Sequence, residues 1–241
     1  MNAIRNRAVH CTLAALLLAL SANANAKDKV QRQTINYNGQ PRTYFCLIPA
    51  ADPNTPLPVV VLLHGSGNNG QQMTSAWSDL ASRDEFIIVA PNSFHSEMWD
   101  SDADPPAFLH AIVADAAAHH PIDPHRVYLF GHSAGAVYAL GIALIDSEYF
   151  AAAGGHAGAL TPQNAALFTY ARRKMPIALW VGAHDDRVSV DAVNATRDAF
   201  AAHGFSVRVT VLPFAGHAYD GQVADKVTRA AWDFFRTLQL P

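Results

Sequence analysis

Short apolar runs alternate with helical periods along most of the chain. Residues 59–63, 86–90, 127–130, 177–181 and 207–212 read as short apolar stretches, and 150–153 is a weaker one. Such runs suit strands buried on both faces of a sheet. Residues 34–37 and 42–48 predict two leading antiparallel strands, broken by a turn at Asn38-Gly39. Met73, Ala76, Trp77, Leu80 and Ala81 recur on one helical face. Val223, Val227, Ala230, Ala231, Phe234, Phe235 and Leu238 mark the face of an amphipathic terminal helix. Residues 134–145 are apolar all round, which predicts a helix packed against the sheet. Thr161-Pro162 reads as an N-cap followed by proline at the first helical position. Gly204, after His203, reads as a helix C-terminal stop.

Alternating strands and helices predict an α/β fold, with a mostly parallel sheet covered by helices on both faces. In such sheets the chemistry gathers at the carboxyl ends of the strands. After the leader no repeat, low-complexity tract or linker interrupts the pattern, so residues 27–241 are expected to form one domain.

The first 26 residues stand apart. Arg5 and Arg7 precede an apolar run over residues 13–20, and Ala24-Asn25-Ala26 fits the small-x-small rule for leader cleavage. The run is too short to span a bilayer. A secreted or periplasmic protein starting at Lys27 is expected. Its 15 basic and 20 acidic residues give a net charge of 15 − 20 = −5. A mildly acidic surface gains nothing from releasing phosphate counterions, which argues against nucleic acid as a partner. Cys11 leaves with the leader, so Cys46 has no partner for an internal disulfide. Its apolar neighbours Phe45 and Leu47 predict a buried, inert thiol.

The chemical signal begins at Gly131-His132-Ser133-Ala134-Gly135, between a predicted strand and a predicted helix. This is the G-x-S-x-G pattern in the setting it requires: a tight, strained turn that lifts the serine oxygen above the sheet. A chain of this length meets the pentapeptide by chance roughly once in fifteen, so the setting carries the argument. Three other strand ends supply what a serine nucleophile needs. The Gly-rich turn His64-Gly65-Ser66-Gly67 offers a backbone N–H of Ser66 or Gly67, which with that of Ala134 would form an oxyanion hole. Asp185, in Gly182-Ala183-His184-Asp185-Asp186-Arg187-Val188, is the candidate acid. Asp186 is its rival, or else pairs with Arg187 or caps the helix starting near Ser189. His217 is the histidine placed between the last strand and the terminal helix, as a general base should be. The chain order Ser, Asp, His is that of the α/β-hydrolases.

From about residue 42 to 238 the chain resembles the α/β-hydrolase superfamily. More narrowly, it is similar to the secreted polyhydroxybutyrate depolymerase-like and feruloyl or acetylxylan esterases. The stretches that carry the likeness are Val61-Leu62-Leu63-His64-Gly65, Pro121-Ile122-Asp123-Pro124-His125-Arg126-Val127-Tyr128, Gly131-His132-Ser133-Ala134-Gly135 and Ala215-Gly216-His217. Asp104, Phe108-Leu109 and Asp115 add to it. The resemblance implies carboxylic ester hydrolysis through Ser133, Asp185 and His217, without a cofactor. A large cap domain is not expected in residues 27–241, and no separate polymer-binding module is visible there. A serine peptidase, a thioesterase or lipase, and a non-catalytic binding protein are the rival readings. His64, Trp99 and His156 are candidate substrate contacts near the expected strand ends. His119, His120, Asp123 and His125 lack the spacing of a metal site and read as loop residues.

One prediction rests on the sequence alone. N-terminal sequencing of the exported protein is expected to begin at Lys27, and a soluble mature form starting at Met1 would contradict it.

Overall fold

The computed structural model describes Asp28 and residues 30–241, so the leader expected over residues 1–26 lies outside the described residues. Eight strands form one sheet: β1 (Gln31–Tyr37), β2 (Gln40–Leu47), β3 (Leu57–Leu63), β4 (Ile87–Pro91), β5 (Ile122–His132), β6 (Ala152–His156), β7 (Ile177–Gly182) and β8 (Val207–Leu212). Their spatial order is β1-β2-β4-β3-β5-β6-β7-β8. The first two strands run antiparallel to their neighbours, and the other pairings are parallel. This is the α/β architecture the alternation predicts.

Helices α1 (Gly70–Asp84) and α5 (Gly221–Phe235) cover one face of the sheet. Helices α2 (Pro106–Ala117), α3 (Ala134–Ile145) and α4 (Val190–Ala202) cover the other. Side chains along each inner strand point alternately to the two layers. Val59, Val61 and Leu63 face the second layer, and Val60 and Leu62 face the first. Both sets are fully buried, which is why the sequence reads as an unbroken apolar run. The expected faces of α1 and α5 are the packed ones, and α5 adds Trp232, stacked on Phe86 at 4.0 Å. Helix α3 is buried or half-buried along all but its last residue, Ile145, because it lies over the middle of the sheet. Cys46 is buried among the strands, and the loss of solvation there pushes its thiol up to about 12.

Two expectations need correction. The sixth strand is Ala152–His156, starting two residues later than the expected run, because Phe150 is spent on packing against Tyr149 and His110 in the core before the chain enters the sheet. β8 is not buried on both faces. It is the outer strand, and its side chains alternate between half-buried and exposed up to Thr210. Thr161 does cap a helix that starts at Pro162, as expected; that element is a 3-10 helix, Pro162–Tyr170, and the Thr161 N–H donates to Asn164 Oδ1 at 2.9 Å. Gly204 does follow α4 in the left-handed region, at φ 82°.

A buried ion pair fixes the segment that follows β4. Arg42, on β2, pairs with Asp104, and both side chains are almost wholly removed from solvent. Arg42 also donates to the carbonyls of Ala103 (2.8 Å) and Asn92 (3.3 Å), and its guanidinium lies 3.8 Å from the centre of the Phe108 ring. Asp104 accepts the backbone N–H of Phe94 at 2.9 Å and of Asp100 at 3.2 Å. The residues 92–104 are thus tied to the sheet through one carboxylate. Replacing Arg42 with alanine leaves that carboxylate buried and alone. The expected loss is about 3–5 kcal/mol in chemical denaturation, and a loss below about 1 kcal/mol would show that the pair does not support this segment.

Candidate active site

Ser133 occupies the turn between β5 and α3 with φ 51°, a conformation that costs a non-glycine residue about 1–3 kcal/mol. Two close approaches hold it there. A Cβ on Gly131 would sit 2.1 Å from the carbonyl oxygen of Gly135, and one on Gly135 would sit 2.3 Å from that of Leu63. The Ser133 N–H donates to the carbonyl of His156 at 2.9 Å, which pins the turn to the end of β6.

The loops after β7 and β8 bring two further side chains to this turn. Nε2 of His217 lies 2.9 Å from Ser133 Oγ. Its Nδ1 lies 3.0 Å from each carboxylate oxygen of Asp185. Burial alone would raise the Asp185 carboxyl, but the backbone N–H groups of Val188 (2.8 Å) and Arg187 (2.9 Å), followed by His217, outweigh it and hold the group below its ordinary value. A carboxylate at this place accepts the Nδ1–H, which leaves Nε2 free to accept the serine proton. Asp186 points outward, exposed on the cleft wall. It does not cap α4, because Ser189 Oγ accepts the Ala192 N–H at 3.1 Å. Among the described residues it forms no ion pair with Arg187.

The Gly-rich loop after β3 folds as a tight turn in which Asn68 N–H donates to Gly65 at 3.1 Å and Gly67 takes φ 70°. The Gly67 N–H is engaged by the carbonyl of Ser96 at 2.9 Å. That removes Gly67 from the expected oxyanion hole and leaves Ser66, which lines the cleft beside Ser133. Ala134 is the first residue of α3, so its N–H has no place in the helical ladder.

The three candidate substrate contacts hold the loops instead. His64 is buried: its Nε2 accepts the Ser93 N–H at 3.1 Å, and its Nδ1–H therefore donates to the Gly65 carbonyl at 2.8 Å. Trp99 donates its ring N–H to the His64 carbonyl at 2.8 Å and stacks on Tyr138 at 5.5 Å. Both side chains are spent on fixing the loop, so neither reaches a ligand. His156 lies fully buried beneath the nucleophile turn, its Nδ1 3.1 Å from Nδ1 of His132. His120 donates into the fold, to the Thr55 carbonyl at 3.1 Å.

The cleft above Ser133 encloses about 580 Å³. Asn68, Gln72, Asp186, Arg187 and Asp220 give it polar walls, and Met73 is its one long apolar side chain. His132 and Tyr219 belong to its lining and were not legible as such: one is the variable residue of the pentapeptide, the other follows His217 by two. Tyr219 is held by Trp77, which donates to its hydroxyl at 2.9 Å, and by Thr228 at 2.8 Å.

Residues 35–213 match the Esterase family, which spans most of the chain. The chain belongs to the Esterase family. It is a carboxylic ester hydrolase of the serine hydrolase type. No curated protein matches it. Among solved structures it is similar to esterase PE8, with 22% identity, 78% of this chain and 96% of that one covered, and a TM-score of 0.63. It is also similar to the fluorophosphonate-binding serine hydrolase F of Staphylococcus aureus (13% identity, 87% and 99% covered, TM-score 0.73). A ferulic acid esterase superposes at 14% identity, 88% and 98% covered, with a TM-score of 0.67. At these identities the likeness speaks to the esterase's fold, an α/β-hydrolase fold, and not to its substrate.

Burial lowers His132 to about 3, helped by the neighbouring rings of His156 and His217. Burial likewise lowers His156 to about 4. Both rings are neutral in the folded esterase, whereas the unfolded chain protonates them below about pH 6.5. The unfolded state then binds more protons, so this stabilisation is complete above about pH 6.5 and is lost as pH falls toward 4. His156→Phe is expected to flatten the fall in unfolding free energy between about pH 7 and 4, measured by chemical denaturation, by up to about 1.4 kcal/mol per pH unit. An unchanged slope in the variant would contradict it.

Proposed function

We propose that this esterase is exported and cleaves short-chain carboxylic esters of hydrophilic alcohols, with Ser133 as nucleophile, His217 as base and Asp185 as its orienting acid. The observation that carries the reading is the unbroken hydrogen-bonded chain from Ser133 Oγ through both nitrogens of His217 to Asp185. His217 Nε2 takes the serine proton while Oγ adds to the ester carbonyl. The backbone N–H groups of Ser66 and Ala134 receive the oxyanion, each worth about 3–4 kcal/mol in the transition state. The imidazolium returns its proton to the departing alcohol, leaving an acyl-enzyme. Water then repeats the sequence in the opposite direction. Asp185 fixes the tautomer and balances the imidazolium charge.

The substrate class follows from the walls of the cleft. A lipase needs a long apolar channel for its acyl chain. Here the side chains around the serine are amides, carboxylates and a guanidinium. They suit a sugar, polyol or hydroxy-acid alcohol, in line with the feruloyl, acetylxylan and hydroxybutyrate esters to which the sequence resemblance points. The N-terminal leader pattern supports export.

Steady-state hydrolysis of acetyl, butyryl, hydroxybutyryl, feruloyl and peptidyl substrates tests the class, with acetyl and hydroxy-acid esters expected to lead. Ser133→Ala should abolish turnover and labelling by an organophosphonate while leaving the thermal midpoint nearly unchanged. Asp185→Asn is expected to lower kcat by about 10⁴-fold, because the amide favours the wrong tautomer, whereas Asp186→Asn should be mild. Full activity in a folded Ser133→Ala protein would end the proposal.

A further inference from the structure

His132 precedes Ser133 in the nucleophile turn and lies beside His217 in the lining of the cleft, yet the mechanism above gives it no task. Its ring centre is 5.3 Å from that of His217 and 5.4 Å from that of Tyr219. Its Nδ1 faces inward, 3.1 Å from Nδ1 of His156. Two imidazoles meeting nitrogen to nitrogen must share one proton between them, one ring donating and the other accepting. The far side of the pair decides which. His156 Nε2 is fully buried and without a hydrogen-bond partner. A bare ring nitrogen tolerates that position better than an orphaned N–H, since buried donors without partners are the rarer and costlier case. His156 therefore carries its proton on Nδ1 and donates it to His132 Nδ1. His132 is left with its proton on Nε2, on a ring that is 5% exposed and belongs to the cleft lining.

We propose that His132 Nε2–H is a specificity-determining donor that binds a hydroxyl oxygen of the leaving alcohol next to the scissile ester bond, and that His156 holds it in that tautomer. This rests on the esterase mechanism proposed above and names one contact within it. The alcohol side is indicated by position: the leaving oxygen must reach His217 Nε2, and His132 is the ring that lies beside His217. Asp186, Arg187 and Asp220 line the same cleft. A neutral donor suits a neutral hydroxyl, and burial keeps both rings uncharged at neutral pH. The buried His156 is thus a positioning residue, and His132 a substrate contact.

The test compares 2-hydroxyethyl acetate with propyl acetate, which share an acyl group and differ by a hydroxyl in place of a methyl. Wild type should favour the hydroxyl ester in kcat/KM by about tenfold, the scale of one hydrogen bond. His132→Phe keeps the aromatic ring and should erase that preference, lowering kcat/KM for 2-hydroxyethyl acetate by about tenfold more than for propyl acetate. Equal losses on both esters, or no preference in wild type, would overturn the proposal. Nitrogen-15 correlation spectra of the wild-type imidazoles give a reading independent of any variant: His132 protonated at Nε2 and His156 at Nδ1 are expected, and the reverse assignment refutes the contact. If wild type hydrolyses neither ester and Ser133 escapes organophosphonate labelling, the underlying esterase mechanism fails and takes this contact with it. Normal labelling with no hydroxyl preference sinks the contact alone.

Discussion

The backbone at Ser133 is held where a serine does not rest on its own. Its positive φ is maintained by the carbonyl of His156 from β6 and by the approach of Gly131 and Gly135 to backbone that would collide with any Cβ. Those neighbours come from different strands, so the turn exists only while the middle of the sheet is assembled. This is the trade made by a strained site: about 1–3 kcal/mol is stored locally and the packing of the two helical layers offsets it. What is gained is a hydroxyl raised at the strand ends, with the first N–H of α3 beside it.

The same turn explains why so much buried polar chemistry surrounds the site. The oxyanion loop is soft by composition, being rich in glycine, and its shape comes from outside. His64 and Trp99 bind its backbone from one side, and the carbonyl of Ser96 takes the Gly67 N–H. The 92–104 segment that supplies Trp99 and Ser96 is fixed by the Arg42–Asp104 pair. A charge pair on a strand far from the serine in sequence therefore sets which amide is left to face an oxyanion. Electrostatic preorganisation of this kind depends on donors that do not move during the reaction.

The titratable groups around Ser133 sit in different environments. Asp185 is stabilised as an anion by two backbone N–H groups and faces His217, whose imidazolium it can balance. His132 and His156 see no carboxylate at hydrogen-bond distance and meet one another instead, so burial dominates and keeps them neutral. Environment, and not residue identity alone, sets which of these groups carries charge.

Much of this was legible in the order of residues. The apolar runs, the pentapeptide and the chain order Ser133, Asp185, His217 determined the fold class and the three side chains that meet, because strand ends in a parallel sheet must lie together. Asp185 could be preferred over Asp186 from loop spacing alone, since adjacent side chains diverge. The edge position of β8 was harder to see, because burial of a strand depends on what covers it. The choice between Ser66 and Gly67 was hidden as well, since it turns on a hydrogen bond to Ser96 some thirty residues away. His64, Trp99 and His156 looked like ligand contacts because they follow strands, but a sequence cannot say whether a ring at a strand end faces the cleft or the core. His132 and Tyr219 were passed over for the same reason. Local pattern determined which residues approach the site; only tertiary packing decided which atoms of them are already spent on the protein and which remain for a substrate.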